Sequence, residues 1–299
     1  MPTKAQNSDH YGEQAWFYIK ICFTLCWIVQ IMTMAGTGGE CLYPVGICNW
    51  YSFDFLFTVP GNWVLVAILL PLFIFYLREQ YMLVTTACLS IVSCIIVSRH
   101  ESSGMLLRAT PFTTVFIAQF LAYLFHRLNP HFDLRFYRQQ FPVQLIAATY
   151  TISAISKLDS SGTGWANAGS TYMALPVLKS FAFEYFDTGH AIALEKGYSI
   201  AHFMLTHKSL ISSLLTASLL LELCCMLVTL HPFIRFGYGI GLLLMHIGIA
   251  ISMHILIAGV FFPMLIFFIN PVYRLALLAK RLAPFFPEGI RNRLGLQLQ

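Results

Sequence analysis

Eight long apolar runs, set apart by short polar breaks, limit what this chain can fold into more than any other feature. They fall at about 16–34, 62–77, 82–98, 111–128, 142–157, 209–230, 236–252 and 255–270. Several sit near the ~17-residue minimum for crossing the hydrocarbon core as a helix. Lipid offers no hydrogen-bond partner to peptide groups, so such runs cross as helices, whose backbone bonds are internal. Composition points the same way, since 58% of the residues are hydrophobic and only 10% are charged, against about a quarter charged in a soluble domain. The expected fold class is therefore all-α, a polytopic transmembrane helix bundle of about eight spans with interfacial helices. Pro71 and Pro263 fall inside runs and are expected to kink them; His254 sits where the last two would have to turn, the alternatives being one long bent helix or a re-entrant pair. Fifteen polar or mixed residues precede the first run and no small-x-small cleavage site is evident, so that span is expected to be retained.

The expected organisation is a cytoplasmic N-terminal segment over 1–15, a transmembrane domain over 16–270 and a cytoplasmic amphipathic tail over 271–299. Orientation rests on where the cations fall rather than on their sum. With the N-terminus inside, the inner segments carry Lys4, Arg78, Arg127, Arg135, Arg138, Arg235, Arg274, Lys280, Arg281, Arg291 and Arg293. The outer segments carry Arg99, Arg108, Lys179, Lys196 and Lys208, and Lys20 and Lys157 fall within runs. Both termini are thus expected in the cytoplasm, with the protein integral to a membrane, a bacterial inner or plasma membrane. Between Pro176 and Lys208 aromatic and charged residues alternate, which suits helices lying in the interface. Val272 to Arg281 repeats that pattern as a tail anchor.

Several functional classes drop out. No P-loop, HExxH or nucleophile elbow occurs, nucleic-acid binding has no support, and none of the eight cysteines has metal-type spacing, so no metal is expected. Cys41 and Cys48 share one loop, expected outside, and are the one candidate disulfide. Gly237, Gly239 and Gly241 lie in an apolar run with no strand before them; close helix packing at Gly237 and Gly241 is the expected reading.

The chemistry-bearing residues are few. Lys157 ends the fifth run, with Asp159 two residues on and Trp165 in the Gly-rich stretch behind. A lysine at the edge of hydrocarbon either reaches water along its methylenes, pairs with a carboxylate such as Asp159 or one on another helix, or is desolvated into a base. Glu222 lies deep in the sixth run with no other charge within ten residues, and Lys157 or a histidine is its natural partner. His246 lies mid-run and His254 eight residues on, too far round the helix to share a metal face. An intramembrane histidine either hydrogen-bonds a neighbouring helix or serves chemistry.

Ser156-Lys157-Leu158-Asp159 followed by Trp165, Gly169 and Met173 resembles a segment of the vitamin K-dependent gamma-glutamyl carboxylase membrane domain and of the wider horizontally transferred transmembrane (HTTM) superfamily. Leu219 to Leu223 around Glu222, then Met245-His246-Ile247-Gly248, looks like that family's acidic-helix and histidine-helix pair, and Arg99 to Phe112 like its polar connection before the fourth span. The resemblance covers roughly Gln14 to Asn270. It implies a lyase-like membrane enzyme in which Lys157 is the base that deprotonates vitamin K hydroquinone, His246 assists and Glu222 pairs inside the bundle. Asp159, Trp165 and His254 would line the pocket or support it. Reduced vitamin K or menaquinone would be the cofactor, the lipid bilayer and a lipid-soluble quinone the partners. Glu222 stands where the carboxylase pattern has a different acid, and the carboxylase's large soluble domain has no counterpart here, so propeptide-directed carboxylation is not expected. Other branches are compact bacterial proteins that help mature sporulation-delaying-type peptide toxins. They give the alternative expectation, a non-catalytic maturation or export partner of a secreted peptide or small accessory protein. A transporter is a third option.

Overall fold

The structure is a computed structural model and describes residues 12–35, 41–51, 54–103, 110–162, 164, 169–253 and 258–282. Trp165 and His254 lie outside the described residues. Every described element is helical: α1 (Glu13–Ala35), short 3₁₀ turns at Gly46–Asn49 and Asp54–Phe57, α2 (Val59–Leu77), α3 (Met82–Ser102), α4 (Thr110–Leu128) and α5 (Leu134–Ser161). Then come α6 (Gly169–Thr188), α7 (Ala191–Thr206), α8 (Lys208–Leu223), a 3₁₀ turn at Cys225–Thr229 and α9 (Pro232–Met253). The last elements are α10 (Ala258–Met264), a π-helical turn at Leu265–Ile269 and α11 (Pro271–Leu282).

Each expected run overlaps a helix, yet not every helix is long and apolar enough to cross a membrane. Among the described residues five are: Glu13–Thr33, Val59–Leu77, Met82–Ser102, Pro232–Ser252 and Gly259–Leu282. A sixth arises if α7 and α8 together make one span, but they meet at a 91° bend around His207. The shortfall from eight has a local cause. Arg135, Arg138, Gln139 and Gln140 dilute the start of α5, Gln119, His126 and Arg127 dilute α4, and α8 stops after 16 residues. The stretch after Pro176, expected as interfacial helices, is helical as the end of α6 and as α7.

The chain divides into two compact units, Met1–Val143 with Phe262–Gln299, and Gln144–Phe261. The first is built on aromatic packing. Phe23 stacks on Phe112 at 5.3 Å and meets Phe116 and Phe267 edge-on, while Trp27 stacks on Phe112 at 4.9 Å. Two of the inward-facing polar contacts are direct: Trp27 Nε1 donates to Ser93 Oγ (3.2 Å), and Tyr76 donates to Gln119 Oε1 (2.8 Å). On α3, Thr85, Thr86, Ser90 and Ser93 are buried while Val84 and Ile91 are exposed. Small and polar residues inside with large apolar ones outside is how helices pack when their outer faces meet lipid.

One end of this unit is tied by charge. The turn between α2 and α3 places Glu79 and Tyr81 in the left-handed region, at φ 55° and 49°. That conformation is costly for a side-chain-bearing residue, and here it aims Glu79 at a cluster of partners. Glu79 Oε1 accepts from Lys20 Nζ (2.6 Å) and Trp16 Nε1 (2.8 Å), and Arg138 Nη1 approaches Oε2 at 3.9 Å. Arg138 also donates to Glu13 Oε2 (2.8 Å) and lies 4.7 Å from the Trp16 ring. At the far end of the sequence, Asn270 takes φ 50° after the π-turn and its Nδ2 donates to the Ala15 carbonyl (3.1 Å).

In the second unit α6 and α7 form a close hairpin. Gly197 permits the approach, because a Cβ there would sit 2.7 Å from Phe181 Cβ. Val177, Phe181, Ala193, Met204 and Ile211 form its buried core. Gly241 of α9 packs against Leu221 of α8, where a Cβ would lie 3.1 Å from the leucine methyl. Gly237, the other expected packing glycine, has nothing within 4 Å of that position.

Candidate functional site

The second unit brings together three residues singled out in the sequence. Lys157 Nζ donates to Glu222 Oε2 at 2.5 Å. Glu222 sits at the end of α8, its side chain 6% exposed, whereas the Lys157 side chain is 28% exposed. Lys157 falls in the closing turns of α5, which ends where Gly162 takes φ 55° and its N–H bonds the Leu158 carbonyl (2.7 Å). The carbonyl end of a helix carries partial negative charge and favours a cation. Thr151 Oγ1 donates to the Glu222 carbonyl at 3.3 Å, so α5 holds the last turn of α8 by backbone as well as side chain.

Two turns back along α5, the Tyr150 hydroxyl and His246 Nε2 share a hydrogen bond of 2.7 Å, both side chains buried. His246, on α9, meets Phe261 edge-on at 5.8 Å. Tyr150 and Lys157 are seven residues apart, only about 20° from alignment on a helix of 3.6 residues per turn. A single stripe of α5 therefore carries both couples, with buried Ala154 between them. Asp159 is exposed. Two residues along a helix is about 200° of rotation, so Lys157 and Asp159 point to opposite sides.

The remaining expected residues are scattered. Cys41 is exposed and Cys48 buried, and both are free thiols. Among the described residues, no group of three or more His, Cys, Asp or Glu side chains stands together as a metal site would need. Neither Tyr150 nor Thr151 carries a charge to mark it in the sequence. The signal that could have found Tyr150 is its seven-residue spacing from Lys157. The Glu79 cluster is equally hidden, since its members come from α1, the α2–α3 turn and α5.

Chemically, the arrangement is a neutral pair of opposite charges next to a phenol and an imidazole, all within apolar helices. Such a pair can exchange one proton internally without changing its net charge. Compared with known proteins, the chain matches no family model, no curated protein and no solved structure.

Proposed function

We propose that this chain is an integral membrane enzyme of the carboxylase-like HTTM type that takes a proton from a lipid-soluble hydroquinone, with the Lys157–Glu222 couple as its proton acceptor. The observation that carries this reading is the direct Lys157–Glu222 contact beside Tyr150 and His246. As an ammonium, Lys157 is not a base. Passing its proton to Glu222 Oε2 leaves a neutral amine beside a neutral carboxylic acid, and removal from water favours that uncharged form. The amine then accepts the phenolic proton, the ammonium so formed stabilises the phenolate, and Glu222 keeps the other proton. Tyr150 and His246 form a second hydrogen-bonded couple on the same stripe of α5. The hydroquinone, as menaquinol or reduced vitamin K, supplies the electrons that molecular oxygen takes up, giving epoxide and water. The proposed topology has about eight crossings, both termini in the cytoplasm and Lys157 towards the outer face.

Epoxide formation by the full chain in lipid nanodiscs under oxygen tests this, comparing wild type with Lys157→Ala and Lys157→Arg. Turnover lost in both variants is expected, because arginine keeps the charge but cannot act as a base. Turnover retained in Lys157→Arg refutes the proposal. The second reading, a non-catalytic partner of a secreted peptide, is favoured by the same contact taken as a structural ion pair. It gains if none of the three folded proteins turns over quinol.

A further inference from the structure

Past the last apolar run the chain returns to its own beginning. Asn270, at φ 50°, ends the π-helical turn, and its Nδ2 donates to the Ala15 carbonyl (3.1 Å). Arg274 Nε donates to the Ile269 carbonyl across the break (2.8 Å), and the Tyr273 ring lies 6.1 Å from that of Tyr18. Ala15 and Tyr18 belong to the first two turns of α1, so α11 starts beside the end of the unit where Lys20, Glu79 and Arg138 meet.

α11 itself has no buried residue. At about 100° per residue, Val272, Leu275, Leu278 and Leu282 fall within an arc of about 120°, and all four are exposed. Arg274 and Arg281 flank that arc on one side and Lys280 on the other. An apolar stripe edged by long cations, whose methylenes can lie along it, suits a helix set at a lipid surface.

Charge decides which surface. Glu13 and Glu79 are engaged by Arg135, Arg138 and Lys20, and Asp133 accepts from the Phe136 N–H at the start of α5 (3.3 Å). Arg78 and Arg127 are exposed at the same end of the unit, and Lys280 and Arg281 on α11, so positive charge is in excess there. At the opposite end, Asp54 and Glu101 accompany the buried Arg99. A zwitterionic leaflet would receive the leucines equally well but leave the excess charge unneutralised, whereas an anionic leaflet answers both.

We propose that α11 recognises anionic phospholipid, its leucine stripe lying among the acyl chains and Arg281 and Lys280 meeting phosphate oxygens of the headgroups. This lipid recognition is independent of the chemistry at Lys157.

The full chain in nanodiscs of phosphatidylcholine, with or without phosphatidylglycerol, tests it through amide hydrogen exchange over 272–282. At about fivefold per cation held near an anionic surface, Lys280 and Arg281 should slow exchange roughly tenfold or more when phosphatidylglycerol is present, and added salt should erode the difference. Lys280→Gln with Arg281→Gln, both exposed and off the apolar stripe, should remove most of it while leaving exchange in phosphatidylcholine unchanged. Leu275→Ser with Leu278→Ser should speed exchange in both lipids. Equal exchange of wild type in the two lipids, a phosphatidylglycerol effect that survives the double glutamine variant, or the same slowing by soluble glycerol phosphate over phosphatidylcholine discs overturns the proposal. So does protection that appears only when two chains share one disc, which would put a second copy on the stripe.

Discussion

Breaking the Lys157–Glu222 contact from its two sides should have unequal effects. Lys157→Met strands a carboxylate whose side chain is 6% exposed. Removing one partner of a buried pair costs about 3–5 kcal/mol, and the lower end applies because Glu222 can take up a proton and lose its charge. Glu222→Leu instead strands an ammonium whose side chain is already 28% exposed. Its methylenes can carry it further towards water, so the loss is about 1 kcal/mol, the scale of an accessible ion pair. The double variant replaces both charges with apolar side chains and should lie within about 1 kcal/mol of wild type. The two single losses sum to about 4 kcal/mol, which leaves a coupling of about 3 kcal/mol. Equilibrium unfolding of the four proteins by sodium dodecyl sulfate in bicelles measures each term. A coupling below about 0.5 kcal/mol, or a greater loss from Glu222→Leu than from Lys157→Met, refutes the reasoning.

Tyr150→Phe removes the phenol from His246 Nε2 in a buried setting and should lower stability by about 1–3 kcal/mol in the same assay. Burial works to raise the Glu79 pKa, but hydrogen bonds from Lys20 and Trp16 and the charges of Lys20 and Arg138 outweigh it and hold the carboxyl below its ordinary value of 4.5. A lowered folded-state pKa stabilises fully above the unfolded value and is lost as pH falls through the folded one. Thermal melts from pH 7 towards acid should therefore drop more steeply for wild type than for Glu79→Gln, and parallel curves would count against the cluster. Gly61→Ala would set a Cβ 2.1 Å from the Phe55 carbonyl oxygen, so a loss of at least about 1–3 kcal/mol is expected, while an unchanged melting temperature would show that this turn gives way.

Hydropathy is a one-dimensional signal, and it located the helices because each buries or exposes its apolar residues along its own length. It does not register breaks. The run expected over 209–230 breaks after Leu223, where α8 gives way to the 3₁₀ turn at Cys225–Thr229, with neither proline nor glycine to announce the change. Pro71 and Pro142, by contrast, sit inside continuous helices. Lys157 and Glu222 could be paired in advance because two lone charges in apolar runs have few other choices. Thr151 could not be, since a neutral side chain becomes informative only once its helix face is known, and Tyr150 is marked only by its seven-residue spacing from Lys157. Lys20 looked like an isolated charge in the first run. Its partner Glu79 depends on a left-handed turn that residue preferences disfavour, and only packing of the surrounding elements could select it.

The first unit is discontinuous in the chain, and that bears on how it is made. Phe23 has its edge-on neighbour in Phe267, and the Ala15 carbonyl has its donor in Asn270, 255 residues later. At about 5–20 residues per second of synthesis, α1 leaves the ribosome roughly ten to fifty seconds before the segment that completes its packing. During that interval its aromatic face and the Ala15 carbonyl lack their final contacts while the whole second unit is produced and folds. The nascent chain then depends on whatever shelters a half-built bundle, an insertase or the lipid itself. Truncation before Phe262 would leave the N-terminal half permanently at that stage.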